Sequence, residues 1–405
     1  MKISDYESIV GKDIIAELQI ISKKLKKKKI QCINSTKAGG GVAEILSRLI
    51  PLLNDLGIDA TWDVISAEPD YFNITKAFHN ALHGSKVNIT RSMFDRFASI
   101  GEGILKRTDI YGDIVFIHDP QPIMLIDKKS NYNKWIWRCH VDVSHPDIEI
   151  WEFLKSFIER YDSSVFSSPN FARELAIAQF LVTPSIDPFS EKNRDLAQTE
   201  ISDVLKKYGI EKNKPIIAQV SRFDYLKDPV GVIEAYKLVK KYIDCQLILA
   251  GNRAADDPET DTVLKDVYAK KGDDPDIHVL VVEPEQNDRD INAIQRASDV
   301  IVQKSIREGF ALTVTEALWK AKPVVASAVG GIPQQIRHRH SGLLCYTVGG
   351  AALGIKELLH NPAYARRLGR NGKEHVRQNF LSTRHLRDYL TLFLYLYNPE
   401  DIIHL

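Results

Sequence analysis

Short apolar runs bounded by polar turns alternate with helix-period stretches along almost the whole chain, and this rhythm restricts the fold more tightly than any other feature. Ile30–Ile33, Thr61–Ile65, Asp113–His118, Trp135–Val141, Ser164–Ser167 and Leu181–Thr183 read as strands. A second series follows at Ile216–Val220, Gln246–Ala250, His278–Val282, Asp299–Val302, Val324–Ala326 and Leu343–Cys345. Between the first two strands, Val42, Ile45, Leu46, Leu49, Leu53 and Leu56 share one helical stripe, which Gly57 stops and Pro51 is expected to kink. Helical stretches near 229–241, 260–271, 288–297 and 313–321 separate strands of the second series. Buried strands alternating with helices argue parallel sheets covered on both faces.

A chain of 405 residues exceeds one ordinary core. The expected architecture is therefore α/β, with two Rossmann-like doubly wound domains facing each other across a cleft. The expected boundaries are 1–185 and 186–380, joined near Pro184–Ser190. Residues 381–405, rich in leucine and aromatics, are expected to form a helix crossing back to the first domain. Ligands in such sheets sit at the C-terminal ends of the strands, and a cleft between two of them suits a two-substrate reaction.

Composition excludes several classes. A formal net charge of +1 argues against a nucleic-acid binder, and the lysine run from Lys23 to Lys29 reads as an exposed helix end leading into a strand. Cys32, Cys139, Cys245 and Cys345 are far apart and form no CxxC pair, so neither a disulfide framework nor a zinc site is expected. No signal-peptide core or membrane span is visible, and the cytoplasm is the expected compartment. His338, Arg339 and His340 lie together, but the neighbouring arginines repel a cation, so no metal is expected there. The absence of GxSxG disfavours a serine hydrolase.

Four segments carry chemistry. Gly39-Gly40-Gly41 follows the first strand and opens the first helix. It fits a close backbone approach to a ligand and, equally, a plain tight turn. Glu44 stands where the dinucleotide fingerprint needs its last glycine, which disfavours a dehydrogenase. Ser221-Arg222-Phe223-Asp224-Tyr225-Leu226-Lys227-Asp228 places two cations at a strand end, where they can converge on a diphosphate. Exposed Arg222–Asp224 or Lys227–Asp228 pairs are the structural alternative. Glu308-Gly309-Phe310-Ala311-Leu312-Thr313-Val314-Thr315-Glu316 runs from a buried strand into a helix. Glu308 suits sugar hydroxyls, and Glu316 suits either a ribose diol or a capping box with Thr313. His118-Asp119-Pro120-Gln121 and Arg138-Cys139-His140-Val141-Asp142 each end a strand of the first domain. There His118 and His140 are expected to face a cleft, where either can contact a hexose and Arg138 or Asp142 can hold an acceptor; a purely structural role for a strand histidine is the alternative.

These segments resemble a known group. Glu308 to Ser327 is similar to the E-x7-E region of family-four retaining glycosyltransferases of the GT-B fold, and SRFDYLKD to their phosphate-binding loop. NSTKAGGGVAEIL, HDPQP and WRCHVDVSHP narrow the resemblance to the trehalose glycosyltransferring synthases, with retaining trehalose phosphorylases as near relatives. The resemblance implies that Arg222 and Lys227 hold the donor diphosphate beside Ser221. It implies further that Glu308 contacts the donor glucose and Glu316 the ribose, while the amides of Gly309, Phe310, Ala311, Leu312 and Thr313 line phosphate and sugar. His140 is implied beside the transferred glucose, and Gly40, Gly41, His118, Gln121, Arg138 and Asp142 on the acceptor side. Ala311 departs from the glycine common there, and the basic stretch Arg337–His340 from the usual acidity.

The implied reaction joins NDP-glucose (UDP- or ADP-glucose) and glucose into α,α-trehalose, with retention, in a cytoplasmic homodimer. No cofactor is implied, and Mg2+ is not expected to be essential. A phosphorylase using inorganic phosphate, or a non-catalytic nucleotide-sugar-binding protein, are the alternatives. Neither a nucleic acid nor a membrane is expected as a partner.

Overall fold

The structure, a computed structural model, describes residues 2–37, 40–252, 259–283 and 287–400. The chain divides into two compact units, one of Met1–Ser185 with Ser382–Leu405 and one of Ile186–Leu381. The first carries β1 (Lys29–Asn34), β2 (Asp59–Val64), β3 (Ile114–His118), β4 (Lys134–Arg138), β5 (Ser163–Phe166) and β6 (Ala178–Leu181). They form one parallel sheet in the order β2-β1-β3-β4-β5-β6. The second carries β7 (Ile216–Val220), β8 (Gln246–Gly251), β9 (Ile277–Val281), β10 (Val300–Gln303), β11 (Val324–Ser327) and β12 (Leu343–Cys345). These are also all parallel, in the order β12-β11-β10-β7-β8-β9.

Side-chain alternation builds a core on each face of the first sheet. Val115, Ile117, Trp135 and Trp137 enter one cluster, with Phe78, Phe97 and Trp151 from covering helices. Ile114, Phe116 and Ile136 enter the other, with Leu386, Tyr389, Leu390 and Phe393. Those four lie on the helix Ser382–Tyr395, whose apolar stripe therefore closes the first sheet. Its packing gives the C-terminal segment a structural reason to return to this unit.

Several elements differ from the sequence expectation. β6 lies at Ala178–Leu181, ahead of the expected Leu181–Thr183, as a largely half-buried edge strand. The apolar Val182 is buried as the chain leaves the sheet, its N–H bonded to the Phe166 carbonyl at 2.9 Å. β4 stops at Arg138 rather than Val141, because the chain turns out of the sheet at Cys139–His140. The helix Gly40–Asp55 continues through Pro51. Helices Pro69–Leu82 and Arg91–Arg107 fill the long interval before β3. Among the described residues, no helix is long and apolar enough to cross a membrane.

Strand order decides where ligands can gather. In the second unit the chain builds β8 and β9 on one side of β7, then returns to build β10, β11 and β12 on the other. The loops leaving β7 and β10 thus meet at the switch point, at the C-terminal edge of the sheet where ligands of such folds gather. In the first unit the equivalent switch lies between β1 and β3.

Candidate active site

Both singled-out loops of the second unit leave its switch point. Ser221–Asp228 follows β7 and 304–311 follows β10, so strand order brings together residues some eighty positions apart. The loops are stitched by a backbone bond from the Ile306 N–H to the Leu226 carbonyl, 2.7 Å. Two ion pairs reinforce it: Lys227 Nζ meets Glu308 Oε1 at 2.8 Å, and Lys304 pairs with Asp228. Glu308 is buried, and its Oε1 also accepts from Ser305 Oγ (2.9 Å) and Gln303 Nε2 (3.2 Å). Gln219 Nε2 donates to the Lys227 carbonyl at 2.7 Å, which fixes the lysine backbone from β7. A cation and a carboxylate are therefore held side by side, largely desolvated, at the switch point of the sheet.

The surface-pair alternative fails for Lys227 and holds for Arg222. Lys227 pairs with Glu308 rather than Asp228, whose carboxylate instead caps the helix Pro229–Lys240 through the Gly231 N–H. Arg222 is 56% exposed and pairs with Asp224 at 3.2 Å. Such a contact is worth little and is readily exchanged for a phosphate. Ser221 is half-buried, and its N–H bonds to the Ala250 carbonyl at 3.0 Å. Gly251 lies so close to it that an added Cβ would come 1.9 Å from the Ser221 carbonyl oxygen.

Ala311 is the N-cap of the helix Leu312–Trp319 and supplies no side-chain cap. Gly309, Ala311, Leu312 and Thr313 are half-buried and Phe310 is buried. An uncapped helix start is a ready site for phosphate oxygens, and here it stands beside Lys227 and Glu308. The capping-box alternative for Glu316 is not realised. Thr313 lies inside the first turn and donates its hydroxyl to Gln303 Oε1 at 3.3 Å, and Glu316 follows in the second turn, buried. Gly330, at φ +54, passes within 1.7 Å (from an added Cβ) of the Glu308 carbonyl oxygen, so only glycine fits there. Ala311 itself has φ 70, a left-handed backbone costing an L-residue about 1–2 kcal/mol. This is the physical reason for glycine at that position. Ala311→Gly is expected to raise stability by about 1 kcal/mol and the melting temperature by roughly 2–4 °C; a calorimetric melting temperature that falls would refute the strain.

In the first unit β3 and β4 end beside one another, with His118 paired to Arg138 in register. His118 Nδ1 lies 3.0 Å from His140 Nε2, and Arg138 Nε faces His140 Nδ1 at a long 3.5 Å. Arg138 Nη2 donates to the Val182 carbonyl at 2.8 Å. Burial holds the His118 imidazole down to about 3, with Arg138 adding to the effect. Burial, then Arg138 and His118, hold His140 well below its ordinary value. Asp119, at φ 66, accepts from the His140 backbone N–H at 2.8 Å, and burial pushes its carboxyl up to about 7.

These contacts bear on three of the residues expected on the acceptor side. Arg138 has no exposed surface and His118 is 1% exposed, so neither lines an open acceptor site; both support the half-buried His140 from behind. Asp142 accepts from the Ser144 N–H and hydroxyl at 2.9 and 2.6 Å, so it holds its own turn. Gln121 has a buried Oε1 with no hydrogen-bond partner among the described residues, an acceptor suited to a sugar hydroxyl. Gly41 is exposed at the start of the helix Gly40–Asp55; Gly39 lies outside the described residues. Sequence reasoning missed Lys304 and Asp228 as a pair, and missed His385 beneath the histidines. His385 bonds Ser185 Oγ through Nδ1 at 2.8 Å; nothing in the local sequence marks it. Among the described residues, no three His, Cys, Asp or Glu side chains gather to hold a metal ion.

Residues 32–173 match the family model described as trehalose synthase, N-terminal domain, and residues 200–375 match glycosyl transferases group 1. The chain is similar to a trehalose synthase of Pyrococcus horikoshii, 44% identical over 96% of this chain and 95% of the relative. It is also similar to a trehalose phosphorylase of Grifola frondosa, 31% identical over 87% of this chain and 55% of the relative. Among solved structures, an α,α-trehalose-phosphate synthase (UDP-forming) from Burkholderia xenovorans, in complex with glucose-6-phosphate, superposes with a TM-score of 0.72. At 14% identity over 91% of this chain and 99% of that one, the likeness concerns the fold, which is GT-B.

Proposed function

Since the chain belongs to the trehalose synthase family of glycosyltransferases, we propose that it makes α,α-trehalose reversibly from a nucleoside diphosphate glucose and free glucose, with retention at the transferred carbon. The observation that carries this reading is the Lys227–Glu308 pair, 2.8 Å apart, beside an uncapped helix start at the switch point of the second unit. A sugar diphosphate presents the two chemistries that such a site satisfies, phosphate oxygens for Lys227 and the helix amides, and hydroxyls for Glu308. Arg222 exchanges Asp224 for the diphosphate, and Glu316 takes the ribose. His140, Gln121 and Gly41 face the glucose side.

In the transfer, the bond from the donor C1 to the phosphate oxygen breaks as the acceptor's O1 attacks the same face. The departing phosphate receives the acceptor's proton. Lys227 and Arg222 stabilise the charge that develops on the leaving group, and no enzymic nucleophile or cofactor takes part. Mg2+ is not essential, because the two cations supply the neutralising charge. The four cysteines of the chain are all free and buried, which suits a reducing cytoplasm. The family resemblance supports a homodimer, which sedimentation velocity tests.

The deciding experiment offers UDP-, ADP- and GDP-glucose, separately, with free glucose and follows the product by NMR. We expect trehalose in the α,α form from at least one donor, unchanged by a chelator. Likeness to the Grifola frondosa enzyme favours a second reading, in which inorganic phosphate replaces the nucleotide. Glucose 1-phosphate from trehalose and phosphate, with no transfer from any nucleotide donor, would replace the first reading by the second.

A further inference from the structure

We propose that Arg138 is a positioning residue that locks His140 as a neutral imidazole with both ring nitrogens committed inside the protein. His140 then bounds the sugar by shape and accepts no proton from it. The placement of His140 beside a sugar rests on the function proposed above; its hydrogen-bonding state does not.

A guanidinium Nε–H donates and cannot accept. The His140 Nδ1 that faces it at 3.5 Å must therefore present its lone pair, which leaves the ring proton on Nε2. That proton points at His118 Nδ1, 3.0 Å away, with the two ring planes only 24° apart so that the rings meet edge to edge. His118 in turn must carry its own proton on Nε2, a buried atom with no partner among the described residues. One arginine thus fixes the tautomers of two histidines. Arg138 is itself held by the Val182 carbonyl at 2.8 Å, with the Tyr389 ring 5.4 Å from its guanidinium carbon. The charged and titratable groups around the pair are Arg138, Asp119 and His385. Asp119 engages the His140 backbone N–H rather than the ring, so none of them offers the imidazole an anionic partner. A general base needs a free lone pair within reach of the hydroxyl it serves. His140 has none to give.

Lysine at 138 would keep the charge but lose the fork that spans His140 and Val182 at once. The test begins on the wild-type chain, labelled with 15N-histidine, by long-range 1H–15N correlation at pH 7.5; His118→Gln and His140→Gln assign the signals. We expect both imidazoles neutral with the proton on Nε2. A His140 proton on Nδ1, or a doubly protonated ring, overturns the inference whatever the enzyme transfers. Arg138→Lys is then expected to lose the single tautomer and to lower kcat by roughly 10²-fold, with both KM values within about twofold. Loss of the tautomer with an unchanged kcat overturns the positioning role. A wild type that transfers glucose from no donor sinks the proposed function, while the tautomer spectrum still decides the state of His140.

Discussion

Lys227→Met is expected to lower kcat for glucose transfer by about 10²- to 10³-fold and, separately, to destabilise the second unit by about 2–3 kcal/mol. The kinetic loss is that of removing one preorganised donor from developing negative charge. The stability loss has another origin. Glu308 is 7% exposed in its side chain and would keep its carboxylate in a site from which the cation at 2.8 Å had gone. Removing one partner of a buried pair leaves an uncompensated charge, which commonly costs 3–5 kcal/mol. The figure is smaller here because Lys227 retains 18% exposure and Ser305 and Gln303 still donate to Glu308.

The double variant Lys227→Met with Glu308→Gln separates the two effects. It removes the stranded charge and is expected to recover most of the stability in urea unfolding, yet none of the turnover. Recovery of turnover along with stability would mean that Lys227 serves only to neutralise Glu308. The leaving-group role would then be wrong.

Acid is expected to unfold the first unit steeply, with stability falling by about 3 kcal/mol per pH unit between pH 6 and 5. His118 is held down to about 3 by burial, and His140 and His385 lie well below their ordinary value for the same reason. Each is neutral in the folded chain, whereas in the unfolded chain it takes up a proton as the pH falls through about 6.5. Each therefore contributes stability present above about 6.5 and lost as the pH falls toward its folded value. Asp119 acts oppositely. Its carboxyl, pushed up to about 7 by burial, holds a proton in the folded state that the unfolded chain releases above about 4. Stability from this group grows as the pH falls through that window. The unfolded chain thus binds a net two protons more, at about 1.4 kcal/mol per proton and pH unit.

Tryptophan fluorescence reads this unit well, since Trp62, Trp135, Trp137 and Trp151 lie in it and only Trp319 in the other. The urea midpoint is expected to fall sharply between pH 6 and 5, and His385→Gln to remove about a third of the histidine contribution. A midpoint independent of pH across that interval would show that the buried histidines are already charged.

Much of this molecule is legible in local sequence. Strands such as Ile216–Val220 and Val324–Ser327 are continuous apolar runs because both their faces are covered, and such runs are visible without knowledge of their neighbours. The glycosyltransferase loops are equally visible, because a loop entering a helix needs glycines and polar residues at fixed spacing. β6 lies ahead of its expected place because an edge strand only half-buried carries a weak apolar signal, while the buried Val182 beyond it mimics one. The helix Arg91–Arg107 escaped because it buries only Phe97, Ile100, Gly101 and Ile104, a stripe too narrow to stand out among charges.

The α/β class, the doubly wound pattern and the loops that carry Arg222, Lys227, Glu308 and Glu316 follow from local sequence, because periodicity and turn chemistry act over a few residues. The pairing of Lys227 with Glu308 and of Asp228 with Lys304, and the burial of Arg138 and His118 against His140, came only with the folded chain. Those outcomes depend on strand order, which sets β7 against β10 and β3 against β4. A charge pair across two loops records the sheet that places them, and no window of neighbouring residues contains that information.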